Sequence, residues 1–271
     1  MTKAPRLSPE LLALGAELGG SGQPVRWEEL TWPEARDAVH PLRAAIIPVG
    51  AVEQHGPHLP LAVDTLLGDA AALGVSALTG VPVVPALCYG VSASHGEFAG
   101  TISLRPETMI SLVQDVIDSL YDSGVRQFIL LNGHIWNSGV LDVSAEKLRV
   151  RHRDARVRSL GYVTMYPGPE VDGHVRYGRA LMHANFFETS VMLYLYPELV
   201  RMDRATSHQD VDSFWDYRMD QVSETGVWGR DVTDANAAHG KAEFDRCVAT
   251  TARAVAAAVR EPMPDRTHRP A

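Results

Sequence analysis

Short, uninterrupted apolar runs separated by amphipathic stretches of helix length constrain this chain more than any other feature. Ala44–Gly50 is one such run, as a strand buried on both faces requires. Gln127–Leu131 is the clearest strand, and Val157–Thr164 is another. Val81–Leu87 reads as a strand whose Pro82 and Pro85 suit an edge or strand ends better than a central position. Between these runs lie helical patterns. Asp64 or Thr65 is placed to cap a helix running to about Leu78 and stopped by Gly80. Pro106 opens another, with Ile110, Val113, Ile117 and Leu120 on one face and Gly124 just past its end. Further helices are expected to about Arg151 and at about 184–196 and 241–260. Strands and helices interleaved in this way form βαβ units, so the expected fold class is α/β, a mostly parallel sheet with helices on both faces.

The length of 271 residues suits one large domain or two small ones, and no linker or internal repeat divides it. A single domain over 26–260 is expected, with residues 1–25, rich in Gly, Pro and Ser, as a flexible N-terminal arm and 261–271 as a flexible tail. Thirty-three acidic against 25 basic residues leave a net charge of −8, which argues against nucleic acid or an anionic membrane as partner. No apolar run reaches the roughly 18 residues of a membrane span. The run Leu11–Leu18 is broken by Glu17 and does not read as a secretory signal. Cys88 and Cys247 are too few for a disulfide framework and read as inert thiols, consistent with the expected cytoplasmic location.

Ligands of parallel sheets bind beyond the carboxyl ends of the strands, which directs attention to the loops after Gly50, Leu87, Leu131 and Thr164. Those loops are rich in metal-capable side chains. Glu53 and His55 are two apart, so an extended segment projects both from one face. Asp64 follows eleven residues after Glu53, at the mouth of a helix, and His134 ends the strand before it. His183 and Glu188 lie at the start of a later helix. Three carboxylates and three imidazoles exceed the needs of one ion; two divalent ions sharing a carboxylate would use them. A water held between such ions becomes hydroxide near neutral pH and attacks a carbonyl carbon. His40, His152, His174, His208, His239 and His268 read as solvated or structural, and His58 as orienting a neighbour. The chain has no G-x-S-x-G elbow, zincin helix, P-loop or dinucleotide turn.

The segment Glu53-Gln54-His55-Gly56-Pro57-His58-Leu59-Pro60 with Asp64 resembles the signature of the creatininase (creatinine amidohydrolase) family. Four further segments resemble that family's motifs in the same order: Ser94-His95-Gly96-Glu97-Phe98-Ala99-Gly100-Thr101, Asn132-Gly133-His134 with Asn137, His183-Ala184-Asn185-Phe186-Phe187-Glu188-Thr189-Ser190, and Gly226-Val227-Trp228-Gly229. The resemblance implies a three-layer α/β sandwich, two divalent metal ions per chain (Zn²⁺, Mn²⁺ or Fe²⁺), and hydrolysis of amide C–N bonds other than ordinary peptide links. It implies that Glu53 and His134 hold one ion and His55 the other, with Asp64 bridging and Glu188 completing the second site. His183 would pass a proton to the leaving nitrogen, and Ser94, His95 and Trp136 would face the substrate. Trp136 stands where creatininase proper carries a metal-binding glutamate, so Glu188 must serve instead and creatinine is not the expected substrate. Asn185 and Phe186 also depart from the family's usual small and acidic residues.

The leading expectation is therefore a metal-dependent amidohydrolase that opens a cyclic amide or removes a formyl-type group from a small nitrogen-rich molecule. Alternatives are a peptidase trimming a ribosomally made precursor and a catalytically inactive metal- or ligand-binding relative. Family members form closed homo-oligomers, often hexamers, so a homo-oligomer is expected.

Overall fold

The computed structural model describes residues 3–160, 183–208 and 217–262. Among the described residues the sheet has three parallel strands in the order β1 (Ala44–Val49), β2 (Gln127–Asn132) and β3 (Arg156–Leu160). Ile46 lies opposite Ile129, and Ile129 opposite Arg158. Successive strand side chains point to opposite faces, so a strand covered on both sides must be apolar at every position. That is what β1 shows: all six residues are buried. Ala44 and Ile46, with Ile129 and Leu131, join one core shared with helices α1 (Pro9–Leu18), α3 (Val63–Thr79), α6 (Phe186–Leu195) and α8 (Ala237–Arg260). Ala45, Ile47 and Val49, with Phe128 and Leu130, join a second core. That core is covered by α4 (Pro106–Asp122), α5 (Ser138–Arg151) and the end of α2 (Trp32–Val39). The result is the expected α/β architecture of helix, sheet and helix layers. A further short helix, α7, spans Met219–Val222.

Several local expectations are corrected. Val81–Leu87 lies beside β1, but pairs with its neighbours only as isolated bridges at Val83 and Leu87. Proline has no N–H to give to a ladder, and Pro82 and Pro85 interrupt it. The segment still accepts from Ile46 at Pro82 O (2.8 Å) and donates from Leu87 to Pro48 O (2.9 Å). Neither Asp64 nor Thr65 caps α3: the cap position is Ala62, Asp64 stands in the first turn, and the Thr65 hydroxyl donates to Ala51 O at 3.0 Å. Strand β3 starts one residue earlier than expected, at Arg156, and residues 161–164 of the expected strand lie outside the described residues.

The reading of residues 1–25 as a flexible arm is also corrected. Ser8 caps α1 by accepting from the Leu11 amide at 3.3 Å, Pro9 occupies the first turn, and Gly19 ends the helix. Leu11 and Leu14 are buried in the core shared with α3 and α8. The Gly, Pro and Ser that look like loop composition are here the start and stop signals of a docked helix. Of the expected flexible tail, 263–271 lies outside the described residues. No described helix is long and apolar enough to cross a membrane.

Candidate metal centre

The site forms where β1 and β2 end. After Gly50 the chain continues extended, held by the Glu53 amide donating to Leu61 O (2.9 Å) and the Gln54 amide donating to Thr101 Oγ1 (3.1 Å). Asp64 projects from the first turn of α3. The end of β2 approaches that turn so closely that a Cβ at Gly133 would lie 2.4 Å from Asp64 O, so only glycine fits. Next to it, Asn132 Oδ1 accepts from the His134 amide at 3.1 Å and fixes the turn. Asn137 ties the loops together, donating to Gly50 O and accepting from the Val91 amide, both at 3.0 Å. The α6 start is a reciprocal cap: Asn185 accepts from the Glu188 amide at 2.9 Å, and Glu188 Oε2 accepts from the Asn185 amide at 3.2 Å. The same turn brings the Glu188 carboxylate back toward the sheet edge.

These elements gather the predicted residues into one buried cluster. Glu53, Asp64 and His134 offer candidate ligand atoms within 4.8 Å of one another, and so do His55, Asp64 and Glu188. Asp64 is common to both sets, with Oδ1 3.4 Å from His55 Nε2 and Oδ2 3.0 Å from His134 Nδ1. Backbone carbonyls fix both imidazoles. His55 Nδ1 lies 3.2 Å from Glu53 O, and His134 Nε2 lies 3.0 Å from Val91 O. Each therefore donates at one ring nitrogen and turns the other toward Asp64, the usual outer support of a metal-bound histidine. Glu53 Oε2, His55 Nε2 and Asp64 Oδ2 are buried without an aligned hydrogen bond. Such orphaned groups cost about 1–3 kcal/mol each, more when charged. Three around one space fit divalent cations, and the mixed carboxylate–imidazole set suits Zn²⁺, Mn²⁺ or Fe²⁺.

The electrostatics of the cluster follow from burial and close charges. Burial pushes the Glu53 carboxyl up to about 7, aided by Asp64 and opposed by His134 and His55. Burial also works against an ionised Asp64, yet His134 and His55 hold its carboxyl far below the usual carboxylate range. Burial would lower both of these imidazoles; the adjacent carboxylates outweigh it and raise His55 to about 10 and His134 to about 9. The neighbouring imidazoles move the other way. Burial, reinforced by the positive charges of His134 and His55, lowers His95 to about 3. His183 falls well below its ordinary value through burial and the charges of His55 and His95.

His95 and His183 flank Glu53, and the His183 ring lies 4.3 Å from that of His55. His183 Nδ1 is 3.6 Å and His95 Nε2 3.9 Å from Glu53 Oε1, and their rings meet edge-on at 4.5 Å. Glu53, His95 and His183 make a third close set of donor groups. Ser94 is half-buried on the single turn Ala93–His95. Trp136, also half-buried, packs with Phe98 against Met219, Val222 and Trp228. His58 Nε2 meets Oγ1 of Thr189, the residue next in sequence to Glu188, at 2.9 Å. His208, read as structural, uses Nε2 at 2.8 Å from Val222 O, while His174, His268 and the loop after Thr164 lie outside the described residues. Sequence reasoning gave no role to Gln54, which touches both His95 and His183.

The family model for creatinine amidohydrolase matches residues 28–255. The chain belongs to the creatininase family. Creatinine amidohydrolase of Pseudomonas putida is 38% identical over 198 residues, covering 66% of this chain and 75% of that protein. A mycofactocin precursor peptide peptidase of Mycobacterium tuberculosis is 35% identical over 229 residues, covering 77% of this chain and 84% of the relative. The crystal structure of creatinine amidohydrolase (creatininase) superposes with a TM-score of 0.76 at 31% identity, over 88% of this chain and 99% of that one. Two further creatininase structures, at TM-scores of 0.73 and 0.74, are described as a Zn–Zn type and a manganese form. At these identities the chain is a creatininase-family hydrolase rather than creatininase itself.

Proposed function

We propose that this creatininase-family hydrolase is a metal-dependent amidohydrolase that cleaves a non-peptide C–N bond, opening a cyclic amide or removing a formyl-type group from a small nitrogen-rich substrate. The observation that carries the reading is the shared position of Asp64 between two donor sets, Glu53 with His134 and His55 with Glu188. Two divalent ions held there would supply Lewis acidity toward the amide carbonyl and lower the pKa of water. The protein's own part is positional and protonic. Glu53, His55, Asp64, His134 and Glu188, all buried, would hold the cations. His183, kept neutral by burial, arrives as a base; once it has taken a proton it returns that proton to the departing nitrogen. Trp136, two residues after His134, and Phe98, packed with it against Met219, Val222 and Trp228, would offer apolar surface to a flat substrate.

A screen of lactams, formamides and imides against the metal-loaded protein tests this reading. The expected result is turnover of at least one class that vanishes on chelation and in Asp64→Asn. The relatedness to mycofactocin precursor peptide peptidases favours a second reading, trimming of a ribosomally made peptide by the same centre. Hydrolysis of precursor peptides with all small amides inert would select that reading.

A further inference from the structure

We infer that Gln54 is a positioning residue that fixes which ring nitrogen carries the proton in His95 and His183, and so keeps the Glu53–His95–His183 set a proton-handling group rather than a third ligand set. This rests on the proposed hydrolase reading only for its use; the proton placement itself follows from local hydrogen bonds. A backbone amide can only donate, which makes the Gly56 N–H an unambiguous marker. Gly56 N–H donates to Gln54 Oε1 at 2.9 Å, which settles the orientation of the side-chain amide. The other end is then NH₂ and must donate. Its two protons have two acceptors in reach, His95 Nδ1 at 2.9 Å and Gly226 O at 3.1 Å. His95 Nδ1 accepts, so the neutral His95 ring carries its proton on Nε2, the nitrogen that faces Glu53 Oε1 at 3.9 Å.

The Gln54 main chain settles His183. Its carbonyl oxygen lies 2.7 Å from His183 Nε2, a distance that a lone pair facing a lone pair would not tolerate, so Nε2 donates. The 3.1 Å approach of Gln54 Nε2 to the same ring nitrogen is then a contact and not a bond, since both protons of that amide are already given. His183 is left with its Nδ1 lone pair directed toward Glu53 Oε1 at 3.6 Å. One residue thus presents Glu53 with an N–H from His95 and a lone pair from His183. An N–H cannot coordinate a cation, so the third set lacks a full complement of lone pairs. The placement of Gln54 is itself tightly enforced: a Cβ at Gly226 would lie 1.9 Å from Gln54 Oε1.

The test is ¹⁵N NMR of the histidine rings in the full chain loaded with Zn²⁺, a diamagnetic probe, together with zinc content. In the wild type the proton is expected on Nε2 of His95 and on Nε2 of His183. Gln54→Glu replaces the donating NH₂ by an accepting oxygen and is expected to move the His95 proton to Nδ1, with zinc content unchanged. Gln54→Met, which keeps the length but offers no donor, is expected to lose the single His95 form and show a mixture. His95→Ala is expected to bind as much zinc as the wild type. A wild-type His95 protonated on Nδ1, an unchanged His95 pattern in Gln54→Glu, or zinc lost in His95→Ala would each overturn the inference. The wild-type spectrum is decisive even if the variants fail to fold. Correct ring protons in a protein that binds no zinc would instead contradict the proposed metal centre and leave the role of Gln54 standing.

Discussion

Asp64 stays ionised although buried because His134 and His55 stand beside it; in the metal-free protein Asp64 in turn raises His55 to about 10, and Glu53 with Asp64 raises His134 to about 9. Both values lie above the ordinary histidine value of 6.5. Their ion pairs therefore stabilise the metal-free fold fully below about pH 6.5, and that contribution disappears as the pH rises through about 9–10. A cation competes with those protons. Metal uptake near pH 7 is expected to release about two to three protons per chain, from His55, His134 and the partly protonated Glu53, and apparent affinity to rise with pH up to about 9–10. Calorimetry in buffers of different ionisation enthalpy reads the protons directly; uptake without proton release contradicts this account. Substitution effects separate by role. Asp64→Asn removes the proposed shared ligand and is expected to weaken both ions by more than roughly 100-fold, beyond the effect of losing an outer partner. His183→Ala is expected to keep the metal and lose turnover; retained activity would remove His183 from proton transfer.

Elements set how closely those residues approach one another. Gly133 lets the end of β2 meet the first turn of α3, and a methyl group there would stand 2.4 Å from Asp64 O. Gly133→Ala is accordingly expected to separate His134 from Asp64, lowering metal content as well as thermal stability; normal metal content in the variant would show that the two elements can part without harm. Helix α1 provides a second check. Leu11 is buried in the main core, so Leu11→Ala is expected to cost about 2–3 kcal/mol in chemical denaturation. A loss near zero would restore the picture of a loose arm. The error about that arm has a physical origin: Ser8, Pro9 and Gly19 suit a helix boundary as well as a loop, and composition alone does not distinguish them. The misplaced α3 cap has a similar cause. An Asp at a helix start reads as a cap, whereas Asp64 sits inside the first turn, two residues after the cap position Ala62, where its carboxylate reaches the metal-capable cluster.

At the scale of the whole molecule, the sheet and its two covered faces were legible because β1 and β2 are apolar at consecutive positions, which leaves little freedom in how such segments are buried. Val81–Leu87 was less legible, since hydrogen bonds around two prolines depend on which neighbours lie alongside. The cluster could be anticipated from residue types at strand ends, and Glu53, His55, Asp64, His134 and Glu188 do meet. Gln54 could not: an amide side chain carries no titration or ligand signal, and its role emerges only from four contacts made with distant segments and its own turn. The most direct test is a metal-loaded crystal structure with anomalous scattering and a parallel metal assay. The expected result is two divalent ions per chain, one among Glu53, Asp64 and His134 and one among His55, Asp64 and Glu188. A single ion outside these residues, or none under metal-replete conditions, would contradict it.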